Sequence, residues 1–134
     1  MDPGRCMVTR NRTSAKQAGT RFETLTVDYL AAHVDDRIER RTRNGTKDRG
    51  DISGLRHMGG RIVIECKNTT RLNLAGWAAE AEEERGNDDA ITSAVVHKRH
   101  GRGAAADQWI TLTLHDFVAL LTGFRHDDCE GCGQ

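Results

Sequence analysis

The segment Arg61–Lys67 reads RIVIECK. A short β-branched apolar run of this kind forms a strand, and successive strand side chains point to opposite faces. Ile62, Ile64 and Cys66 therefore share one face, and Arg61, Val63, Glu65 and Lys67 share the other. The first face suits an ordinary core. The second sets a carboxylate and an amine side by side at the end of an apolar run, and the rest of the chain has to account for them.

The neighbouring patterns supply a frame. Ser14-Ala-Lys-Gln17 has capping-box spacing and is expected to open a helix. Ala15, Ala18, Phe22, Leu25, Tyr29 and Ala32 then recur every three or four residues as one buried stripe, and the helix is expected to end near His33–Asp35. An edge strand over Arg37–Arg43 follows, with Asn44-Gly45 as a turn signal. Asp51–Leu55 and Arg61–Lys67 form a hairpin around Arg56–Gly60. Leu72–Arg85 is a second helix, stopped by Gly86-Asn87. Ile91–His97 and Gln108–Leu114 are strands, the latter with Ile110, Leu112 and Leu114 on one face. Asp116–Thr122 is a short helix closed by Gly123. The order α-β-β-β-α-β-β-α predicts an α/β fold, a mixed β-sheet core with flanking helices. Residues 1–13 read as a basic flexible arm, 14–123 as the folded domain and 124–134 as a Cys-containing tail.

With the loop at Arg56–Gly60, Asp51 falls opposite Glu65, and opposed side chains sit about 5 Å apart on one face. Two carboxylates that close repel unless a cation lies between them. Mg²⁺ or Mn²⁺ is held by such a pair together with waters and phosphate oxygens. Cys66 can add its backbone carbonyl, and Lys67 can orient or deprotonate an attacking water. The chemistry implied is metal-assisted phosphodiester hydrolysis. The plainer alternative is a surface salt bridge between Glu65 and Lys67, which contributes little.

The pair of motifs GDISGL (50–55) and IVIECKN (62–68) resembles the PD-(D/E)XK nuclease superfamily, in which an acid begins one strand and a D/E-x-K triplet ends the next. Gly50 stands where the family name has proline. Within that superfamily the chain is most similar to Holliday junction resolvases of the archaeal type and their phage relatives. Those carry a glutamate on the first helix in a KG…E setting, and Lys16, Gly19 and Glu23 are similarly placed. The resemblance implies a restriction-endonuclease-like core in αβββαβ order over about residues 14–114. It also implies catalytic residues Glu23, Asp51, Glu65 and Lys67, and a metal held by Asp51, Glu65 and the Cys66 carbonyl, with Glu23 as a further ligand. A homodimer making two symmetric cuts in branched DNA follows from it too. Trp77, Ala78 and Ala81 are candidates for the dimer surface. Another structure-specific, nicking or restriction-type nuclease of the same fold, or a non-catalytic DNA-binding module, remains as an alternative.

Formal net charge is zero, but the charges are segregated. Residues 37–49 and 97–102 are basic, whereas 80–89 and 127–130 are acidic. Arg10, Arg12, Arg40, Arg41, Arg43, Lys98, Arg99 and Arg102 are candidate contacts to DNA phosphates, positioning the backbone rather than reading bases. His126, Cys129 and Cys132, with Cys6, offer a half-formed Zn²⁺ site, against the simpler expectation of a reduced tail. Four scattered cysteines are no disulfide framework, and no run approaches the roughly 20 apolar residues of a membrane span. The expectation is a soluble protein of the cytoplasm (the bacterial host's, if phage-encoded), with no membrane partner.

Overall fold

The computed structural model describes residues 11–41 and 47–126. Helix α1 is Arg12–His33. Its N-cap is Asn11 rather than Ser14: the Asn11 side-chain oxygen accepts from the Ser14 amide at 2.8 Å. Asn and Ser are equally good caps, and the earlier one converts Arg12 and Thr13 from expected arm into helix. The buried stripe is rotated from the expected one. Ala18, Phe22, Thr26 and Val27 are buried, whereas Ala15 and Ala32 are exposed and Tyr29 is half-exposed. Thr26 can enter the stripe because its hydroxyl donates to the Phe22 carbonyl at 2.9 Å, so it is satisfied inside its own helix. Residues 1–10, Arg43 and the Asn44-Gly45 turn lie outside the described residues.

Strand β1 is Glu39–Arg40, shorter than expected, and pairs antiparallel with β2, Ile52–Ser53. Strand β3, Arg56–His57, pairs antiparallel with β4, Gly60–Lys67. The turn between them is Met58-Gly59 alone, with φ of 52° and 84°. Two left-handed residues in a row make the type I′ turn that matches strand twist. The expected loop is therefore mostly strand, and the expected second strand is broken in two. Gly54 makes the break: its φ is +88°, and a Cβ there would meet the Arg37 carbonyl at 2.6 Å.

Helix α2, Leu74–Asn87, is capped by Asn73, whose side chain accepts from the Gly76 amide at 3.2 Å. It runs through Gly86-Asn87 to a cap at Asp88, whose amide still bonds the Glu84 carbonyl. Strand β5, Thr92–His97, is parallel to β4, and β6, Trp109–Thr111, is antiparallel to β5. A 3-10 turn at Ala105–Asp107 precedes β6. Helix α3 is Leu114–Thr122. Its N-cap, Thr113, accepts from the Asp116 amide at 3.1 Å and so takes Leu114 out of the expected strand. Gly123 closes α3 in the left-handed conformation.

The main sheet has the order β3-β4-β5-β6. Alternation along β4 and β5 divides the core. Ile64 pairs with Ala94, and with Val27, Ile38 and Ile52 they form the cluster under α1. Glu65 pairs with Val95, which packs with Trp77 and Ala81 of α2. Each fully buried aliphatic here contributes about 1.5–3 kcal/mol. The fold is mixed α/β, with three helices among the described residues. Trp77 and Ala81 are 5% and 2% exposed, so α2 spends its apolar face on the sheet, and those two positions are not a dimer surface. No described helix is long and apolar enough to cross a membrane.

Candidate metal centre

Asp51 reaches Glu65, though not by the expected register. The Ile62 amide donates to the Leu55 carbonyl and the Asp51 amide donates to the Ile64 carbonyl, so the 51–55 side carries two residues more than the 62–64 side. This bulge at Gly54 brings Asp51 beside the end of β4. There its Oδ2 accepts from the Cys66 amide at 2.8 Å. A strand residue projects its N–H and C=O from the same edge, so the Cys66 carbonyl also leaves β4 on the Asp51 side. The Cys66 side chain belongs to the α1 face and packs against the Ile64 cluster. Burial pushes its thiol up, so it is an inert core group.

Two further carboxylates complete the centre, and neither was anticipated. Glu84 of α2 and Asp48 each bring a ligand atom within 4.8 Å of the other and of Glu65. Glu65 and Glu84 are only 6% and 3% exposed. Glu84 Oε2 is buried with no hydrogen-bond donor. The sequence did carry a signal: Trp77, Ala81 and Glu84 are spaced four and three apart, so Glu84 falls on the buried face of α2. It was lost within the acidic run 80–89, where Glu84 is one of several glutamates. Gly50 shapes the approach. Its φ is +94°, and a Cβ there would meet Val63 Cγ1 at 2.8 Å and Glu84 Oε2 at 3.7 Å. Proline is held near φ −65°, so a proline could not take this path.

The carboxyls are strongly perturbed. Burial pushes Asp51 up to about 8, reinforced by contact with Glu65 and opposed by the Cys66 amide. Burial also raises Glu65 to about 8, with contact to Asp51 working downward and contact to Glu84 upward. Glu84 rises to about 7, again through burial first. Carboxyls this close and this deeply buried disfavour one another's ionisation. Burial thus favours the neutral form of Asp51, Glu65 and Glu84 in the metal-free protein. This donor set is all oxygen and fits a hard divalent cation such as Mg²⁺ or Mn²⁺ rather than zinc.

Lys67 shares the Glu65 face, but its Nζ donates to Glu80 Oε2 at 2.7 Å. Burial works against its charge, yet Glu80, Glu65 and Asp51 outweigh that and raise its pKa. Lys67 is thus a fixed cation near neutral pH, which disfavours the general-base role considered for it. Glu23 lies on α1 and receives Arg40 Nε at 2.7 Å. The structure therefore gives Glu23 an arginine partner and does not place it in the carboxylate cluster.

The basic segments adjoin this sheet end. The Lys98 amide donates to the Lys67 carbonyl, and the His100 ring bonds the Thr69 carbonyl at 2.9 Å. The Arg41 amide donates to the Asp51 carbonyl at 2.8 Å. Arg12 and Arg102 are exposed, and Arg99 lies 4.5 Å over the Trp109 ring. Lys98 Nζ donates to the Arg102 carbonyl. Arg41 is spent internally, paired with Asp88 at 3.1 Å. Arg10 and Arg43 lie outside the described residues, as do Cys6, Cys129 and Cys132 of the expected zinc site. His126 is described. Its ring meets Phe124 edge-on at 4.9 Å, and its carbonyl bonds His115.

No protein-family model, curated protein or solved structure matches the chain.

Proposed function

We propose that this chain is a metal-dependent DNA endonuclease with a restriction-endonuclease-like core, acting on branched DNA as a Holliday junction resolvase does. The observation that carries this reading is the gathering of Asp51, Glu65, the Cys66 carbonyl and Lys67 at one end of β4, with the basic 98–102 loop tied to the same end. A phosphodiester drawn to that loop lies over carboxylates that can hold a cation.

Asp51, Glu65 and the Cys66 carbonyl are the groups that would hold Mg²⁺ or Mn²⁺. When bound, such a cation polarises a phosphoryl oxygen and lowers the pKa of a water. The chain's own residues do the rest. Asp51 and Glu65 would hold the cation as carboxylates, and the protons that burial favours on them would be released. Lys67 keeps its proton and offsets the charge that builds on the phosphoryl oxygens. Arg102, Arg99 and Lys98 position the strand through its phosphates. Cutting both equivalent strands of a four-way junction calls for two copies of the chain. The exposed apolar side chains of β6 and α3, Ile110, Leu114 and Leu121, are the surface a second copy would cover.

The test is incubation with labelled four-way junction, flap and linear duplex in Mg²⁺, Mn²⁺ or EDTA, alongside Glu65→Ala and Lys67→Ala. Paired nicks in the junction are expected from the wild type with metal, and none from either variant, with junction binding retained. Full activity in both variants, or no cleavage of any substrate, would sink the reading.

A further inference from the structure

We propose that Asp48, Glu65 and Glu84 hold a second divalent cation, with Glu65 shared between it and the Asp51–Glu65 position. The inference deepens the nuclease reading and rests on it for the assignment of the first ion. It begins with Glu84. This carboxylate is 3% exposed, and its Oε2 has no donor. A buried carboxylate ordinarily takes a cation or several N–H groups. The nearby cations are committed elsewhere: Arg85 bonds Glu82 and the Ala90 carbonyl, and Lys67 bonds Glu80. What faces Glu84 is two more carboxylates, each with a ligand atom within 4.8 Å. Oxygens about 2.1–2.6 Å from a hard cation stand at most about 4–5 Å apart, so the three fit around one ion.

Asp48 is put there by the fold. Its carbonyl accepts from Asn87 Nδ2 at 2.8 Å, and its Oδ1 accepts from the Gly50 amide at 3.0 Å, which leaves Oδ2 for a ligand. Asn87 lies three residues after Glu84 on α2, so one helix face carries a ligand and also anchors the segment that carries another. Asp51 is not within that distance of the whole trio. Its Oδ2 is instead held by the Cys66 amide at 2.8 Å. A single ion cannot collect all four carboxylates without moving the chain. Two ions bridged by Glu65 can, and Gly50, at φ +94°, turns the chain between the two aspartates. The all-oxygen donor set assigns the site to Mg²⁺ or Mn²⁺.

The test is Mn²⁺ binding to the full chain without DNA, by calorimetric titration and electron paramagnetic resonance. Wild type is expected to take about two equivalents and give a spin-coupled signal. Glu84→Gln, which is nearly isosteric, is expected to take about one, uncoupled, and Asp48→Asn to weaken the same equivalent by tenfold or more. A circular-dichroism melt confirms that each variant folds. One equivalent or none in wild type, or two in folded Glu84→Gln, overturns the proposal. Junction cleavage measured in parallel separates the two ideas. Two coupled ions without cleavage uphold this site and sink the nuclease reading, whereas cleavage at one bound equivalent overturns this site and leaves the nuclease reading standing.

Discussion

Lys67 Nζ lies 2.7 Å from Glu80 Oε2, although Lys67 shares its strand face with Glu65. The lysine is held as a cation by an acid from the helix above rather than left free to act as a base. Lys67→Ala should lower cleavage by about 10²–10³-fold, below detection in the junction assay, while Glu80→Gln should leave cleavage measurable. Because burial is outweighed by Glu80, Glu65 and Asp51 and the Lys67 pKa is raised, no limb of the pH–rate profile near neutrality should belong to Lys67. A limb abolished by Lys67→Arg would contradict this.

The buried carboxyls predict an inverted pH dependence for the metal-free protein. Asp51 and Glu65 titrate at about 8 and Glu84 at about 7, against about 4 when unfolded. The folded state therefore binds more protons than the unfolded state between those limits. Its stability is full below about pH 4 for these groups and is lost as pH rises through about 7–8. In EDTA the melting temperature should fall from pH 5.5 to pH 8.5. Mg²⁺ or Mn²⁺ should restore it, most strongly at the alkaline end, where the ligands are deprotonated. A metal-free melting temperature that rises over this range would refute the upward shift of these carboxyls.

Gly50→Ala tests the backbone that frames the centre. Position 50 is at φ +94°, and an added Cβ would strike Val63 Cγ1 at 2.8 Å and the Ile64 carbonyl at 3.2 Å. A loss of about 1–3 kcal/mol is expected from the conformation, with weaker Mn²⁺ binding as Asp48 and Asp51 shift. Unchanged denaturation midpoints would show that the loop relaxes freely.

The basic residues should separate by salt dependence. Neutralising Arg102 or Arg12 should flatten the slope of log affinity against log salt for junction DNA by about 0.9 per contact. Arg41→Ala should behave differently, because Arg41 is paired with the buried Asp88. It should cost about 1.5–3 kcal/mol of stability and leave the slope alone. The same slope change for Arg41 and Arg102 would show that the pairing does not withhold Arg41 from DNA.

Leu114 and Leu121 are 78% and 62% exposed on α3. Replacing both with Glu should leave the melting temperature nearly unchanged and halve the mass seen in sedimentation. A wild-type chain that sediments as a monomer would remove this surface from the proposal.

The alternation of β4 was legible in the sequence. Ile64 and Glu65 had to face opposite ways because the strand period is two, with Ile64 on a core face. The mixed α/β character followed from local patterns of the same kind, as did the nearness of Asp51 to Glu65. The register between those two was not legible, because a bulge at Gly54 and a two-residue turn at Met58-Gly59 change the pairing by amounts no periodicity records. The cap at Asn11 was missed since Asn11 and Ser14 are equally competent and only packing chooses between them. Glu84, Asp48 and Glu80 are distant in sequence from Glu65 and Lys67. Sequence alone determined that a carboxylate and an amine would stand together at the end of a buried strand. Only the tertiary structure decided which charges they meet, because burial and charge pairing act through space and are set by how α2 and the 48–51 loop close over that strand.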